Sequence, residues 1–190
     1  MGKTMKKNKL FVISGPSGVG KNTLLNNFLA ERPDFIFSVS YTTRAPRGGE
    51  IEGVNYFFVK KEEFQRCIKN DEFLEWAEFN ENYYGTKKSF VEKTLAKEMN
   101  MILEIDTQGA LQIKKKVKDA ILIFIMPPSL EDLEKRLRGR NTEDEETIKK
   151  RLAFAESEIK RAKKFNYKVV NDSLDNALRS FKEVVNKELA

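Results

Sequence analysis

The chain has 190 residues, a length that predicts one domain whose core needs neither disulfides nor a structural metal. It contains no histidine and a single cysteine, Cys67, which excludes histidine-dependent catalytic triads, histidine-containing zinc sites and an intrachain disulfide. The formal charge is +6, but residues 1–23 hold five lysines and no acidic residue and so supply +5 of it. This uneven distribution weakens an interpretation as a nucleic-acid-binding protein.

Short apolar runs alternate with helix-length amphipathic segments along most of the chain. Strands are predicted at residues 10–14, 101–105, 121–126 and 167–170. Helices are predicted at residues 23–31, 108–117, 130–138, 148–163 and 174–189. Alternation of this kind predicts an α/β fold in which helices cover both faces of a mostly parallel sheet.

Residues 35–86 follow a different pattern. Short strands are predicted at 36–40, 56–59 and 73–79, separated by a glycine-containing loop and one helix over 62–70. Strands clustered in this way predict a small, mixed or largely antiparallel subdomain inserted into the parallel sheet. The predicted organisation is therefore a core of residues 1–34 and 87–190, an insert of residues 35–86, and a short lid at about 137–150, where GRNTED separates two helices.

The segment GPSGVGK, residues 15–21, lies between the first predicted strand and the first predicted helix. In that context the backbone amides and the positive end of the helix suit a phosphate group, and Lys21 would reach the outer phosphates of a nucleotide. A tight strand-to-helix turn with an incidental lysine is the alternative. The residues predicted to bind ATP here are Gly15, Pro16, Ser17, Gly18, Val19, Gly20, Lys21, Asn22 and Thr23.

Three residues are candidates for holding Mg²⁺. Asn22 stands where a phosphate loop normally has serine or threonine; its carbonyl could coordinate Mg²⁺ or a bound water, or Thr23 could supply a hydroxyl instead. Asp106, at the end of a predicted strand, could hold a magnesium-bound water or could cap the following helix. We expect the metal to be held mainly by nucleotide phosphates and water.

The motifs SVSYTTRAPRGGE, GVNYFF, EFLEWAEF and NYYGT follow the phosphate loop in this order. Together they closely resemble the guanylate kinase family, and the resemblance spans residues 10–171. It implies a phosphate-loop nucleotide kinase of purine nucleotide metabolism that uses Mg²⁺ and ATP to convert GMP to GDP. Transfer would be direct and in line, because an ionised GMP phosphate is already a nucleophile.

The resemblance also assigns the residues that bind GMP. Arginine forks hold phosphate oxygens bidentately, so Arg44 and Arg47, with the hydroxyls of Tyr56 and Tyr84, are expected to bind the GMP phosphate. Guanine presents two adjacent N–H donors that suit a carboxylate, and the resemblance gives this role to Glu75. The remaining GMP-binding residues that it implies are Ser40, Gly85, Thr86, Glu104 and Asp106.

Arginines near the predicted lid resemble the family's lid arginines. A closing lid would bring positive charge to the moving phosphoryl group and exclude water that hydrolyses ATP. The predicted catalytic set is Lys21, Arg44, Arg136, Arg140 and Arg151. Asn171 resembles a family residue near the ATP adenine, and a turn-forming asparagine is the alternative.

Two other functions compete with this interpretation. Guanylate-kinase-like domains of scaffold proteins bind phosphopeptides, but they typically lose the phosphate-loop lysine or the lid arginines that this chain keeps. A basic nucleic-acid binder is disfavoured by the charge distribution. The longest apolar run, residues 120–126, is too short to span a membrane. We therefore expect a cytoplasmic monomer or homodimer with ATP and GMP as partners, and with no nucleic-acid or membrane partner.

Overall fold

A computed structural model describes residues 8–79, 81–139 and 144–190. Within these ranges the strands are β1 (Leu10–Ser14), β2 (Phe35–Phe37), β3 (Ser40–Thr42), β4 (Tyr56–Phe58), β5 (Phe73–Phe79), β6 (Asn82–Lys87), β7 (Asn100–Glu104), β8 (Ile121–Met126) and β9 (Tyr167–Val170). The α-helices are α1 (Lys21–Ala30), α2 (Lys61–Lys69), α3 (Lys88–Leu95), α4 (Thr107–Lys116), α5 (Leu130–Arg138), α6 (Glu145–Arg161) and α7 (Leu174–Leu189), and a 3₁₀ turn covers Ala162–Lys164.

The strands form two sheets. The larger has five strands in the order β2-β7-β1-β8-β9, with β2 parallel to β7 and β8 parallel to β9. The smaller has the order β4-β3-β6-β5 and is mixed, because β3 pairs parallel with β4 while β6 is antiparallel to both β3 and β5. The predicted α/β fold, with a parallel core sheet and a small mixed sheet, is confirmed. None of the helices within the described ranges has the length and apolar character that a bilayer crossing needs.

The chain divides into two compact units. The first comprises the described residues up to Phe11 together with Asp34–Ala120, and the second comprises Val12–Pro33 and Ile121–Ala190. The predicted boundaries at residues 35, 86 and 137–150 remain predictions. Cys67, the single cysteine of the chain, is free and buried in the first unit.

Each unit has its own apolar core. In the first, the amphipathic helix α2 buries Phe64 and Cys67 against Phe73 of β5, and the two phenyl rings stack at 4.3 Å. In the second, Phe28 of α1 meets Phe181 of α7 edge to face at 4.9 Å. Both contacts bury aromatic rings in geometries that stabilise the fold beyond area alone.

One strand prediction was wrong. Residues 36–40 were expected to form a single strand, but β2 ends at Phe37 and pairs with β7, while β3 begins at Ser40 and pairs with β4 and β6. At the break the backbone N–H of Ser38 donates to Ile102 O at 2.8 Å, and the chain then changes sheet. An apolar run gives no signal of such a change, because both halves are extended.

Two elements were not predicted from the sequence, and the starts of α1 and α6 were predicted two and three residues too late. Strand β6 and helix α3 were not predicted, since β6 is largely polar and α3 begins directly after it at Lys88. Helix α6 begins at Glu145 rather than at residue 148 because Asp144 is its N-cap, accepting from the backbone N–H of Thr147 at 2.8 Å.

Candidate nucleotide-binding sites

The phosphate loop of the second unit curls between β1 and α1. Gly18 and Gly20 have φ angles of +86° and +94°, in the left-handed region that favours glycine. A Cβ on Gly20 would lie 2.6 Å from the Asn171 side-chain nitrogen, so the position has no room for a side chain. Helix α1 starts at Lys21 without an acidic residue in its first turn, and its positive end is open to an anion.

Lys21 folds back over this loop. Its ammonium donates to the carbonyls of Gly15 at 2.7 Å and Pro16 at 3.1 Å. The two bonds hold the cation over the loop, whose amides are the expected phosphate ligands. An ammonium donates to phosphate oxygens as it does to carbonyls, so this position suits the predicted role of Lys21.

Arg136 and Asn171 support the loop through the carbonyl of Val19. Arg136 donates to Val19 O at 3.2 Å and to Asn171 O at 2.8 Å. The Asn171 amide donates to the same Val19 oxygen at 2.7 Å, and its backbone N–H donates to Met126 O at 2.8 Å. Asn171 is buried, so its observed role is structural. Its contact with the ATP adenine remains a prediction.

Arg151 reaches the same loop from α6, donating to the Ser17 hydroxyl at 2.7 Å. The second unit thus brings Arg136 and Arg151 to the phosphate loop, although both are more than a hundred residues away in sequence. Arg140, the third predicted lid arginine, lies outside the described residues.

The candidate Mg²⁺ ligands lie in two places. Asn22 and Thr23 are exposed in the first turn of α1, in the second unit. In the first unit Asp106 caps α4, accepting from the Gly109 N–H at 2.7 Å, so the capping alternative is observed. No group of three or more His, Cys, Asp or Glu side chains suited to a metal occurs within the described ranges. Uncharged oxygen donors fit a Mg²⁺ ion that keeps waters and phosphates as its main ligands.

In the first unit, Arg44 and two tyrosines form a polar cluster on the mixed sheet. The guanidinium binds Glu50 bidentately at 2.7 and 3.0 Å and lies 5.4 Å from the centre of the Tyr56 ring. The Tyr56 and Tyr84 rings meet edge to face at 6.1 Å. Burial raises the pKa of Tyr56, with the nearby Tyr84 and Glu104 adding to the effect, so its hydroxyl stays a proton donor. The cluster suits a phosphate group.

Glu50 is a site residue that sequence analysis missed. Besides its pair with Arg44, its carboxylate accepts from the backbone N–H of Arg47 at 2.7 Å. The bond to Arg44 is the main cause of a lowered pKa for Glu50 and a raised pKa for Arg44. The only available signal was its place as the last letter of SVSYTTRAPRGGE. The side chain of Arg47 is exposed.

For the GMP site that the resemblance implies, replacing Glu50 by alanine is expected to raise the KM for GMP about tenfold, because Arg44 loses the partner that orients its fork. Steady-state kinetics with varied GMP would measure the change, and Glu63→Ala, which removes an equal charge from the exposed face of α2, is the matched control. A lower KM in the Glu50 variant would show instead that this carboxylate competes with phosphate.

Glu75 is a buried carboxylate on β5, with 3% of its surface exposed. It lies opposite Thr86 of β6, whose hydroxyl donates to Glu75 Oε1 at 2.7 Å. Burial raises the pKa of Glu75 to about 7, and the negative charge of Asp106 adds to the effect, while Thr86 and Lys116 oppose it. A carboxylate held in this way can accept hydrogen bonds from a base that offers N–H donors.

The other residues predicted to bind GMP lie in the same unit. Ser40 is half-buried on β3 in register with Tyr56, and Glu104 is half-buried at the end of β7. Gly85 is buried on β6, where a Cβ would lie 3.0 Å from both the Glu75 backbone oxygen and Phe64 Cζ. The first unit therefore holds both a phosphate-type cluster and a carboxylate suited to a base.

A glycine-rich loop that turns from a parallel strand into a helix, ends in a lysine and is contacted by two arginines places the chain among the phosphate-loop nucleotide kinases. A family model described as guanylate kinase matches residues 7–188. The guanylate kinase of Synechocystis sp. is 48% identical over 185 residues, 97% of each chain. That of Caldanaerobacter subterraneus subsp. tengcongensis is 47% identical over 180 residues, covering 95% of this chain and 87% of the relative.

A solved structure agrees with these relatives. The crystal structure of guanylate kinase from Anaplasma phagocytophilum superposes with a TM-score of 0.78 at 34% identity, covering 97% of this chain and 87% of that chain. The chain belongs to the guanylate kinase family and is a kinase, which confirms the prediction from the motifs.

Proposed function

We propose that the chain transfers the γ-phosphoryl group of ATP to GMP, forming ADP and GDP. The observation that carries the acceptor assignment is the buried Glu75 carboxylate, which lies in the same unit as the Arg44, Tyr56 and Tyr84 cluster. One group suits the donors of guanine and the other suits a phosphate. ATP is assigned to the phosphate loop of residues 15–23.

The chemistry needs charge and position rather than a protein base. A GMP phosphate oxygen attacks the γ-phosphorus in line, and the bond to the ADP oxygen breaks as the new bond forms. Lys21, Arg136 and Arg151 supply positive charge around the phosphate loop. Arg44 orients the acceptor phosphate, and we assign a role in charge neutralisation to Arg140 as well. Mg²⁺, with ligands drawn from Asn22, Thr23 or Asp106, would neutralise phosphate charge.

Base selection follows from hydrogen bonding. Ionised Glu75 accepts from the ring N–H and the exocyclic amino group of guanine, and Ser40 and Thr86 complete the contacts. Adenine lacks the ring N–H donor, so an adenine in this site would leave the buried carboxylate without its partners. We therefore propose that GMP is used and AMP is rejected. Because both substrates are small cytoplasmic nucleotides, we place the reaction in the cytoplasm, with the chain a monomer or homodimer.

The test is ADP formation from Mg-ATP with GMP, AMP, UMP or no acceptor, measured in parallel. The proposal predicts rapid turnover with GMP, turnover with AMP lower by at least about a hundredfold, and little ADP without acceptor. Similar turnover with all acceptors would refute the guanine assignment and keep the phosphate transfer. Binding of GMP without turnover would refute the kinase activity and favour a binding module.

Binding of GMP is expected to weaken below pH 7. The buried Glu75 has a pKa raised to about 7, chiefly by desolvation, and only its ionised form accepts both guanine donors. The KM for GMP should therefore rise about tenfold for each pH unit below about 7. Guanosine, tested as an inhibitor competitive with GMP, has no phosphate to titrate. Its inhibition constant should therefore rise below pH 7 in the same way. A flat guanosine profile would contradict the prediction.

A further inference from the structure

Helix α4 packs against the edge of the mixed sheet that carries Glu75. In the order β4-β3-β6-β5, strand β5 is at the end of the sheet, and among the described strands it pairs with β6 alone. Its backbone on the other side therefore needs partners from elsewhere. They come from α4, where Gly109, Gln112 and Lys116 are spaced by three and four residues and so share one face. We call these three residues the α4 stripe.

Gln112 and Lys116 bind the backbone of β5 on both sides of Glu75. The Gln112 amide donates to Trp76 O at 2.7 Å and accepts from Trp76 N at 3.3 Å, so it pairs with this residue as a neighbouring strand would. The Lys116 ammonium donates to Leu74 O at 2.7 Å. The residues before and after Glu75 are thus both held by the same helix.

The bond from Lys116 falls on an irregularity of the strand. Phe73 pairs with Lys87 and Glu75 pairs with Thr86, so Leu74 is one extra residue in β5. A bulge of this kind bends a strand and re-aims the side chain that follows it. Here that side chain is Glu75. The direction of the Glu75 carboxylate therefore depends on this bulge, and Lys116 of α4 binds the bulge through the carbonyl of Leu74.

Gly109, the third residue of the stripe, leaves space for the carboxylate itself. A Cβ at this position would lie 2.5 Å from Glu75 Oε2 and 3.2 Å from Glu75 Cδ. The other oxygen, Oε1, is held by Thr86 at 2.7 Å. The carboxylate is thus fixed on one side by a hydroxyl and fitted on the other side against a residue without a side chain.

We propose that the α4 stripe positions Glu75, and that Gln112 and Lys116 are specificity-determining residues for the acceptor base. The inference rests on the proposed function, since it takes Glu75 to be the group that accepts from guanine. A shift of about 1 Å in a positioning group costs about a hundredfold in an enzyme reaction. A base that does not bond to Glu75 would be far less sensitive to such a shift.

The competing explanation is that α4 only stabilises an edge strand. In that case variants of the α4 stripe would lose thermal stability and would lower kcat/KM for GMP and for AMP by the same factor. A positioning role changes the kcat/KM ratio of the two acceptors, and it raises the KM for GMP more than the KM for ATP.

The experiment uses the full chain with Gln112→Leu, Lys116→Met and Lys116→Arg. Gln112→Leu and Lys116→Met remove the bonds to Trp76 and Leu74, and each is expected to lower the GMP/AMP ratio of kcat/KM about tenfold. Lys116→Arg keeps a donor for Leu74 O and should restore the ratio. Lys115→Met removes the same charge from an exposed position on the same turn and should leave the ratio unchanged.

Gly109→Ala separates positioning from stability. Alanine favours a helix more than glycine does, while its Cβ would press on Glu75 Oε2 at 2.5 Å, so a purely structural role predicts a changed Tm with normal kinetics. We expect instead a KM for GMP raised at least about tenfold, because the new methyl group displaces the carboxylate.

Each outcome has a definite meaning. An unchanged GMP/AMP ratio in folded Gln112→Leu and Lys116→Met would overturn the inference, as would an equal loss in Lys115→Met. If Gln112→Leu does not fold, the pair Lys116→Met and Lys116→Arg with Gly109→Ala decides the question. If the wild-type chain itself does not prefer GMP over AMP, the proposed function fails instead.

Discussion

Replacing Glu75 by glutamine is expected to lower kcat/KM for GMP about a thousandfold. Guanine offers two adjacent donors to this position. A glutamine has one oxygen acceptor, and its amide N–H₂ group points a donor at a donor. Since Glu75 is 3% exposed, water cannot replace the lost partner. The Thr86 hydroxyl, which now donates to the carboxylate at 2.7 Å, keeps an acceptor in the variant.

Steady-state kinetics with varied GMP and then varied ATP would measure the effect. The KM for ATP should stay within about twofold, because the phosphate loop has its own contacts in the second unit. Glu78→Gln, an exposed position on the same strand, is the matched control. If Glu75→Gln kept the wild-type preference for GMP over AMP, Glu75 would not be the residue that recognises guanine.

Loss of folding cannot explain the expected defect, because the same substitution should stabilise the chain at alkaline pH. The pKa of Glu75 is higher in the folded chain than in the unfolded one. Its contribution to the free energy of unfolding is therefore fully present below the ordinary carboxyl pKa and is lost as the pH rises through about 7. Glutamine carries no such penalty, so the Tm of Glu75→Gln should exceed that of the wild type at pH 8 and not at pH 5.

The elements that could be predicted from sequence are those with a local signal. The phosphate loop is specified by glycines at fixed offsets between an apolar strand and a helix, and its left-handed residues Gly18 and Gly20 are glycines for that reason. Helix α2 is predicted by the spacing of Phe64, Cys67 and Ile68, which puts these apolar residues on one face of a helix. In both cases one short segment carries the whole signal.

Contacts between distant segments could not be predicted. The carbonyl of Val19 is held by Arg136 and Asn171, residues 117 and 152 positions away, and no spacing rule connects them. The change of sheet at Ser38 depends on the partner strands rather than on the strand itself. For the same reason Gln112 looked like an ordinary polar residue of an amphipathic helix, since its role depends on β5 being an edge strand.

Replacing Lys21 by methionine is expected to lower kcat about a thousandfold, an effect as large as that of Glu75→Gln on kcat/KM. Methionine keeps most of the aliphatic volume and removes the only charge of the side chain. In the structure the ammonium is held over the loop by the carbonyls of Gly15 and Pro16, so the charge sits in a fixed place before ATP binds. Preorganised charge of this kind stabilises a transferring phosphoryl group without a cost of reorganisation at the moment of reaction.

The measurement is the rate of ADP and GDP formation at saturating Mg-ATP and GMP. The fold should be retained, because this half-exposed side chain is not among the buried core residues, and a Tm within about 2 °C of the wild type would verify this. Lys163→Met, at an exposed position of the same unit, is the control for the loss of one positive charge. A Lys21 variant with normal kcat would mean that the two arginines that contact the loop suffice to stabilise the transferring phosphoryl group. Catalysis would then depend on Arg136 and Arg151, which the structure holds against Val19 and Ser17.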